Sequence, residues 1–170
     1  DPQTRVISTT YKDVRVVNVY VPNGQAIGSE KFDYKLDWLE HLKKMLKDDL
    51  KKHPKMVVLG DFNIAPSDQD VHDPEKWKDK ILCSAQERTM FEEILSLGFK
   101  DSFRLFEKEA GFHSWWDYRT AAYTKELGLR IDLLLISNEL VPLCKKSYID
   151  EKPRWLERPS DHTPVVVELS

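Results

Sequence analysis

The reading of the fold turns on Met56-Val57-Val58-Leu59-Gly60-Asp61-Phe62-Asn63. Its first four residues are continuously apolar, too short a run for a helix and suited to a strand buried on both faces. Gly60 ends the run, and polar residues follow at once. Upstream, residues 14–21 (VRVVNVYV) are rich in β-branched side chains and stop at Pro22-Asn23-Gly24, a strand followed by a turn. Between these strands, residues 36–52 place Leu36, Leu39, Leu42, Leu46 and Leu50 on one face with lysines and acids on the other. That periodicity predicts an amphipathic helix, stopped before Pro54.

Downstream, residues 65–83 read as loop. Ser84-Ala85-Gln86-Glu87 has the form of a capping box, and Met90, Phe91, Ile94 and Leu95 follow at helical spacing up to Gly98. Residues 111–128 are aromatic and irregular, 133–136 (LLLI) form another buried strand, 152–159 a loop and 165–169 a closing strand. Segments of period 2 and period 3.6 alternate, which indicates an α/β or α+β fold. With no repeat and no internal linker, residues 1–170 read as a single domain.

Composition narrows the class. An apolar fraction of 41% is too high for a disordered chain, and no apolar run is long enough for a membrane helix, so no membrane partner is expected. The 26 basic and 29 acidic residues leave a net charge of −3, which does not advertise nucleic-acid binding; a bound divalent cation or a local basic face can offset it. Two cysteines, Cys83 and Cys144, make no disulfide framework, and Asp1-Pro2-Gln3 has no signal-peptide character, so a reducing intracellular setting is expected. His41, His53, His72 and His113 lack the spacing of a zinc site.

Three polar clusters abut the apolar strands, where a rigid scaffold can project loop side chains. In Gly60-Asp61-Phe62-Asn63, alternation puts Asp61 and Asn63 on one side: a carboxylate able to hold a cation or orient water, and an amide able to donate to a phosphoryl oxygen. Alone, the segment reads as a strand-end turn, since Gly, Asp and Asn are ordinary turn residues. In Arg130-Ile131-Asp132, an Asp entering a hydrophobic strand needs a partner, either a histidine N–H or Arg130. In Ser160-Asp161-His162, neighbours point apart, so Asp161 suits a metal and His162 another acid such as Asp132; alone, it reads as a surface turn. The block Phe112-His113-Ser114-Trp115-Trp116-Asp117-Tyr118 reads either as a small core beneath a loop or as a pocket for a sugar or base.

Taken together, the stretches NVYVPNG (18–24), GDFNIAP (60–66), SWWDYR (114–119), LRIDLLLIS (129–137) and SDHTPV (160–165) resemble, in this order, the carboxy-terminal part of the exonuclease III family of abasic-site endonucleases. That family lies in the deoxyribonuclease I-like superfamily of metal-dependent phosphoesterases. The resemblance implies part of a four-layered α/β sandwich of the deoxyribonuclease I-like type with its amino-terminal portion absent. A missing amino-terminal half, or a second chain, would then cover the exposed sheet and supply the principal metal carboxylate. This chain alone is accordingly expected to be weakly active or inactive.

The same resemblance implies roles. Tyr20 orients the scissile phosphate or the attacking water; Asn23 contacts a phosphate; Asp61 positions or deprotonates water; and Asn63 binds the phosphate. Asp132 holds His162, which stabilises the phosphoryl group or serves as the base. Asp161, with Asp61 and Asn63, contributes to a site for Mg²⁺ or Mn²⁺, which oxygen ligands favour. Trp115, Leu129 and Ile131 form a pocket for a base-free sugar, with Trp116 and Arg119 also on the DNA. The implied activity is metal-dependent cleavage of DNA at abasic sites, with 3′-to-5′ exonuclease or 3′-end trimming beside it. The alternatives are a phosphodiesterase acting on RNA, lipid or inositol phosphates, and a non-catalytic remnant. The expected location is cytoplasmic or nucleoid-associated in a bacterium and nuclear in a eukaryote. The reading requires Tyr20, Asp61, Asn63, Asp132, Asp161 and His162 to converge on one hollow of phosphoryl size.

Overall fold

The computed structural model describes residues 3–170; Asp1 and Pro2, part of the polar amino end noted above, lie outside the described residues. The chain runs β1 (Val6–Tyr11), β2 (Val14–Tyr20), α1 (Glu30–Lys52), β3 (Met56–Asp61), α2 (Pro74–Trp77) and α3 (Ala85–Ser96). It continues through β4 (Phe99–Asp101), α4 (Phe103–Phe106), β5 (Asp132–Ser137), β6 (Cys144–Ile149) and β7 (Val165–Leu169). Five strands form one sheet in the order β1-β2-β3-β5-β4, and β6 pairs with β7 in a second.

The expected strands at the centre are present because they are buried on both sides. On one face Val17, Val19, Met56, Val58, Leu133 and Leu135 pack against Trp38, Leu39, Leu42 and Leu46 of α1 and Phe91 and Ile94 of α3. On the other, Val57, Leu134 and Ile136 meet Val165, Val167 and Leu169 of β7. Helices, the five-stranded sheet and the β6-β7 pair thus make three layers, a mixed α/β arrangement. The β6-β7 pair covers the β5 side; at the β1 edge Ile7 and Tyr11 are 71% and 70% exposed.

Several elements differ from the sequence reading. Strand β1 (VISTTY) is exposed at every residue and so carries no burial alternation; it is held by antiparallel pairing to β2 through the Lys12-Asp13 turn, with Lys12 at φ +54°. Helix α1 starts at Glu30, where Ser29 caps it by accepting from the Phe32 N–H, six residues before the leucine periodicity begins. Strand β4 is short, and β6 (CKKSYI) spends its alternation on lysines at the surface. The α3 capping box forms as read: Ser84 accepts from the Glu87 N–H, and Glu87 reaches back to the Ser84 N–H.

Register positions the chemistry. β2 and β3 are parallel with Tyr20 opposite Asp61, and β3 and β5 are antiparallel with Asp61 opposite Asp132. Side chains opposite each other share a face, so Tyr20, Asp61 and Asp132 form a row across three adjacent strands. Gly60, beside that row, sits at φ +134°, where an added Cβ would lie 2.0 Å from the Val19 carbonyl oxygen. No side chain is accommodated there without parting β2 from β3.

Candidate active site

At the Asp132 end of the row, the carboxylate meets the imidazole of His162: Nδ1 donates to Oδ2 at 2.9 Å and lies 3.1 Å from Oδ1. Asp132 therefore chose the histidine over Arg130. Arg130 turns instead into the interior, where it donates to Asp70 and Asp101, each at 2.6 Å, and its side chain is 1% exposed. Asp70 also accepts from Arg104 at 2.6 Å, so the pair of guanidinium groups holds its carboxyl below the usual range despite burial. That network fixes the 67–71 turn to β5 and is structural.

Asp61 and Asn63 do come together, though not by strand alternation. β3 ends at Asp61, and Asn63 enters the left-handed region at φ +49°. The Asp61 Oδ1 accepts from the Asn63 backbone N–H at 2.8 Å and its Oδ2 from Asn63 Nδ2 at 3.0 Å, an Asx-type turn. Asn63 Nδ2 also donates to the Val21 carbonyl, and its Oδ1 accepts from Asn23 Nδ2 at 3.0 Å. Tyr20 is exposed at the other end of the row, with the Arg5 guanidinium 4.9 Å from its ring centre.

Residues outside the sequence reading hold these loops. Lys35 of α1 is fully buried and donates from Nζ to the carbonyls of Asn63 at 2.7 Å and Asn23 at 3.2 Å and to Glu87 at 2.5 Å. Glu87 in turn accepts from the N–H groups of Leu82 and Ser84. A lysine at a helix position facing the core, three residues before Trp38, was the available signal, and periodicity counts it as polar surface. Ser114 is likewise fully buried: its hydroxyl donates to Asp132 Oδ2 at 2.7 Å and accepts from the N–H groups of Ile131 and Asp132, each at 3.0 Å.

The aromatic segment is threaded between two others. Trp115 exchanges backbone hydrogen bonds with Leu129, the Trp116 N–H donates to the Asp161 carbonyl, and the Thr163 N–H donates to the Ser114 carbonyl at 2.8 Å. Trp115 is half-buried, its ring centre 6.4 Å from that of His162, and its Nε1 donates to Asp161 Oδ2 at 3.1 Å. Trp116 departs from the expected DNA contact: at 4% exposure it packs edge-on against Tyr123, 5.0 Å between centres, beneath Arg154. Leu129 and Ile131 are buried with Ala65, Val71 and Leu82, and Trp115 packs against that cluster. Gly128 lets this packing close, since a Cβ there would fall 2.5 Å from the Trp116 indole nitrogen. Arg119 is exposed and held by Asp117 through two contacts of 3.0 and 3.1 Å.

Electrostatics differ along the row. Burial, then the neighbouring Asp132 charge, pushes the Asp61 carboxyl up to about 6, against the opposing pull of the Asn63 N–H, His162 and Lys35. Burial opposes a charge on His162, but the hydrogen bond to Asp132 and the charges of Asp132, Asp61 and Asp161 outweigh it and raise its pKa. The row can therefore hold a proton on either group near neutrality, as proton transfer to or from an oxygen on phosphorus requires. A cleft of about 850 Å³ lies elsewhere, bordered by Asp68, Cys83 and Arg88.

The donors fit a hard cation in type but not in number. Among the described residues no three His, Cys, Asp or Glu side chains gather closely enough to hold a metal ion. Asn63 spends its amide on Asn23, Val21 and Asp61, and one Asp161 oxygen is taken by Trp115. The expected set of Asp61, Asn63 and Asp161 is thus no metal cage by itself.

The strand ends of this α/β sheet thus bring together an acid–imidazole pair and clustered amides. The chain belongs to the Endonuclease/Exonuclease/phosphatase family, whose profile matches residues 1–162. It is 34% identical over 166 residues to an exodeoxyribonuclease of Bacillus subtilis, covering 97% of this chain and 64% of that protein. It superposes on a 3′ phosphatase from Neisseria bound to product DNA hairpin with a TM-score of 0.98 and 48% identity, covering 100% of this chain and 66% of the other. An AP endonuclease from Archaeoglobus fulgidus gives 0.93 and 36%, covering 99% and 67%. The chain thus spans 64%, 66% and 67% of the length of these three relatives.

Proposed function

We propose that this chain carries the phosphoryl-transfer side of a DNA-repair nuclease that hydrolyses the backbone at abasic sites and trims 3′ ends. The observation that carries this reading is the Asp61–Asp132–His162 row, with Asp132 bonded to His162 at 2.9 Å and Trp115 beside the imidazole. In hydrolysis, Asp132 fixes the tautomer of His162 by accepting from Nδ1, which leaves Nε2 to face the phosphoryl oxygen. Asp61 takes the proton of the attacking water, a task suited to a carboxyl whose pKa lies near 6. Asn23 and Asn63, tied together, offer amide groups to phosphate oxygens. The 48% identity with a Neisseria 3′ phosphatase, against 36% with an Archaeoglobus AP endonuclease, favours 3′-end processing as the second activity.

Mg²⁺ or Mn²⁺ remains the cation proposed on ligand chemistry, and it would supply charge neutralisation at the phosphorus. Its cage needs oxygens beyond Asp61 and Asp161, and a sheet face exposed at Ile7 and Tyr11 has room for a further segment or chain. On this reading the location is cytoplasmic or nucleoid-associated in a bacterium and nuclear in a eukaryote. The test is incision of an abasic duplex with Mg²⁺, in parallel with undamaged duplex, a 3′-phosphate end and sphingomyelin. Turnover of the abasic or 3′-phosphate DNA, weak for this chain alone and falling about 10²-fold or more in His162→Ala, is expected. Equal turnover of sphingomyelin, or unaltered incision by Asp61→Asn, would refute the reading.

A further inference from the structure

The loop that leads from β6 to His162 carries a cation that the catalytic row does not use. Lys152–Trp155 form a single 3₁₀ turn with Pro153 near its start, whose ring fixes the backbone there. Arg154 is folded under this turn and is 9% exposed. Its guanidinium lies 4.6 Å from the ring centre of Tyr123 and 5.5 Å from that of Trp116. Arg104, Arg119 and Arg130 each hold a carboxylate. Arg154 has none among the described residues, and its Nε is enclosed with no acceptor. A guanidinium carries five N–H donors, and burying it with neither anion nor hydrogen bond is costly. Only Nε is sealed off, so the terminal nitrogens keep access to the surface.

The next residue faces outward. Trp155 is 71% exposed, yet its indole is not free to turn, because Nε1 donates to the Tyr123 hydroxyl at 3.1 Å. Leu156 beside it is 67% exposed. Arg154 and Trp155 thus both rest on Tyr123, which brings a cation short of acceptors and a bare, fixed indole within one side chain of each other. Tyr123 packs edge-on against Trp116, and the Trp116 N–H donates to the Asp161 carbonyl at 3.0 Å. The pair is therefore tied to the segment that carries His162. The exposed charges of the loop balance, Lys152 and Arg158 against Glu151 and Glu157, which leaves the demand for an anion to Arg154.

We propose that Arg154 and Trp155 bind one unpaired nucleotide of a DNA strand, Arg154 holding its phosphate and Trp155 stacking on its base. A phosphate offers several acceptor oxygens to a planar guanidinium fork. A base offers a flat face that an indole covers whatever the base's identity. Inside a duplex that face is already stacked on its neighbours, so the ligand is a frayed end or a single-stranded extension. A protein partner would cover Trp155 and Leu156 but need bring no anion to Arg154. This role deepens the function proposed above by naming a feature of its substrate, and it is measurable without turnover.

The experiment is nitrogen-15 NMR of the five tryptophan indole N–H groups of the whole chain, with the Trp155 signal assigned by its loss in Trp155→Phe. The probe is an oligothymidylate of about eight nucleotides, within the usual site size for single strands. It is expected to shift the Trp155 signal, whereas a blunt duplex of the same length and inorganic phosphate leave it in place. By fluorescence anisotropy, Trp155→Ala is expected to weaken binding about tenfold, and Trp155→Phe, which keeps a ring, much less. Arg154→Met is expected to lower the slope of log affinity against log salt by about 0.7. Should Arg154→Met not fold, Trp155→Ala, at an exposed position, still decides the matter. An oligothymidylate that does not bind, a Trp155 signal that it leaves unmoved, or wild-type affinity in Trp155→Ala overturns the inference. So does a duplex or phosphate that moves the signal as far, or a signal that shifts with protein concentration in the absence of DNA, the mark of a second copy. Asp61-dependent incision of abasic DNA with the Trp155 signal unmoved refutes this role alone. Oligothymidylate binding as expected, with incision unaltered by Asp61→Asn, refutes the proposed function and leaves Arg154 and Trp155 in their role.

Discussion

Asp61 shows how a side chain can be set against the fold that carries it. Its carboxyl is pushed up to about 6 from an ordinary value of 3.8, first by burial and then by Asp132. The groups facing it are Asp132 on β5, His162 on the loop before β7 and Lys35 on α1. Between these two pH values the folded chain holds more protons than the unfolded one, so stability falls as pH rises through the window. Above it, the ionised carboxylate is a net cost. Asp61→Asn should therefore raise the thermal midpoint at pH 8 and leave it nearly unchanged below about pH 3, where the carboxyl is protonated in both the folded and the unfolded chain; midpoints measured across that range check it. An equal gain at both pH values would mean that charge is not the cause. Asp61, Asn63, Asp132 and His162 were all legible in the sequence, as polar residues abutting apolar runs. Ser114 and Lys35 were not, because their importance lies in what they touch.

At the scale of elements, α1 does more than cover the sheet. Its leucine stripe packs on β2 and β3, while Lys35 reaches past it to the carbonyls of Asn23 and Asn63 and to Glu87 of α3. Burial alone pulls the Lys35 pKa down, and Glu87 restores part of it. Removing one member of such a pair strands a buried charge, at a cost of about 3–5 kcal/mol. Lys35→Met should cost that much in denaturant unfolding and loosen both asparagine loops. Lys35→Met with Glu87→Leu should recover part of the stability but not the loop order, which amide hydrogen exchange at Asn63 would report. The helices and central strands could be read in advance because burial imposes period 3.6 or a continuous apolar run. β1, β4 and β6 could not, since edge strands with solvent on one or both sides owe their existence to pairing.

For the whole molecule, a net charge of −3 gives no general attraction to DNA, so on the proposed function affinity would come from local cations. Arg119 is one, with its side chain 73% exposed and its orientation set by Asp117. If it contacts phosphate, Arg119→Ala should weaken binding to all DNA sequences alike and reduce the slope of log affinity against log salt by about 1; fluorescence anisotropy at several salt concentrations measures this. The amino-acid sequence by itself determined the central strands, the two long helices, the α/β class and the identity of the polar residues at the strand ends, because burial and local hydrogen bonding leave periodic and short-range marks along the chain. Only the tertiary structure decided that Asp132 faces His162 while Arg130 faces Asp70 and Asp101, that Trp116, Leu129 and Ile131 are interior, and that Asp61, Asn63 and Asp161 do not close a metal cage. Those outcomes depend on register and on contacts between segments distant along the chain, and a side chain's partner across such a gap leaves no mark in its own neighbourhood.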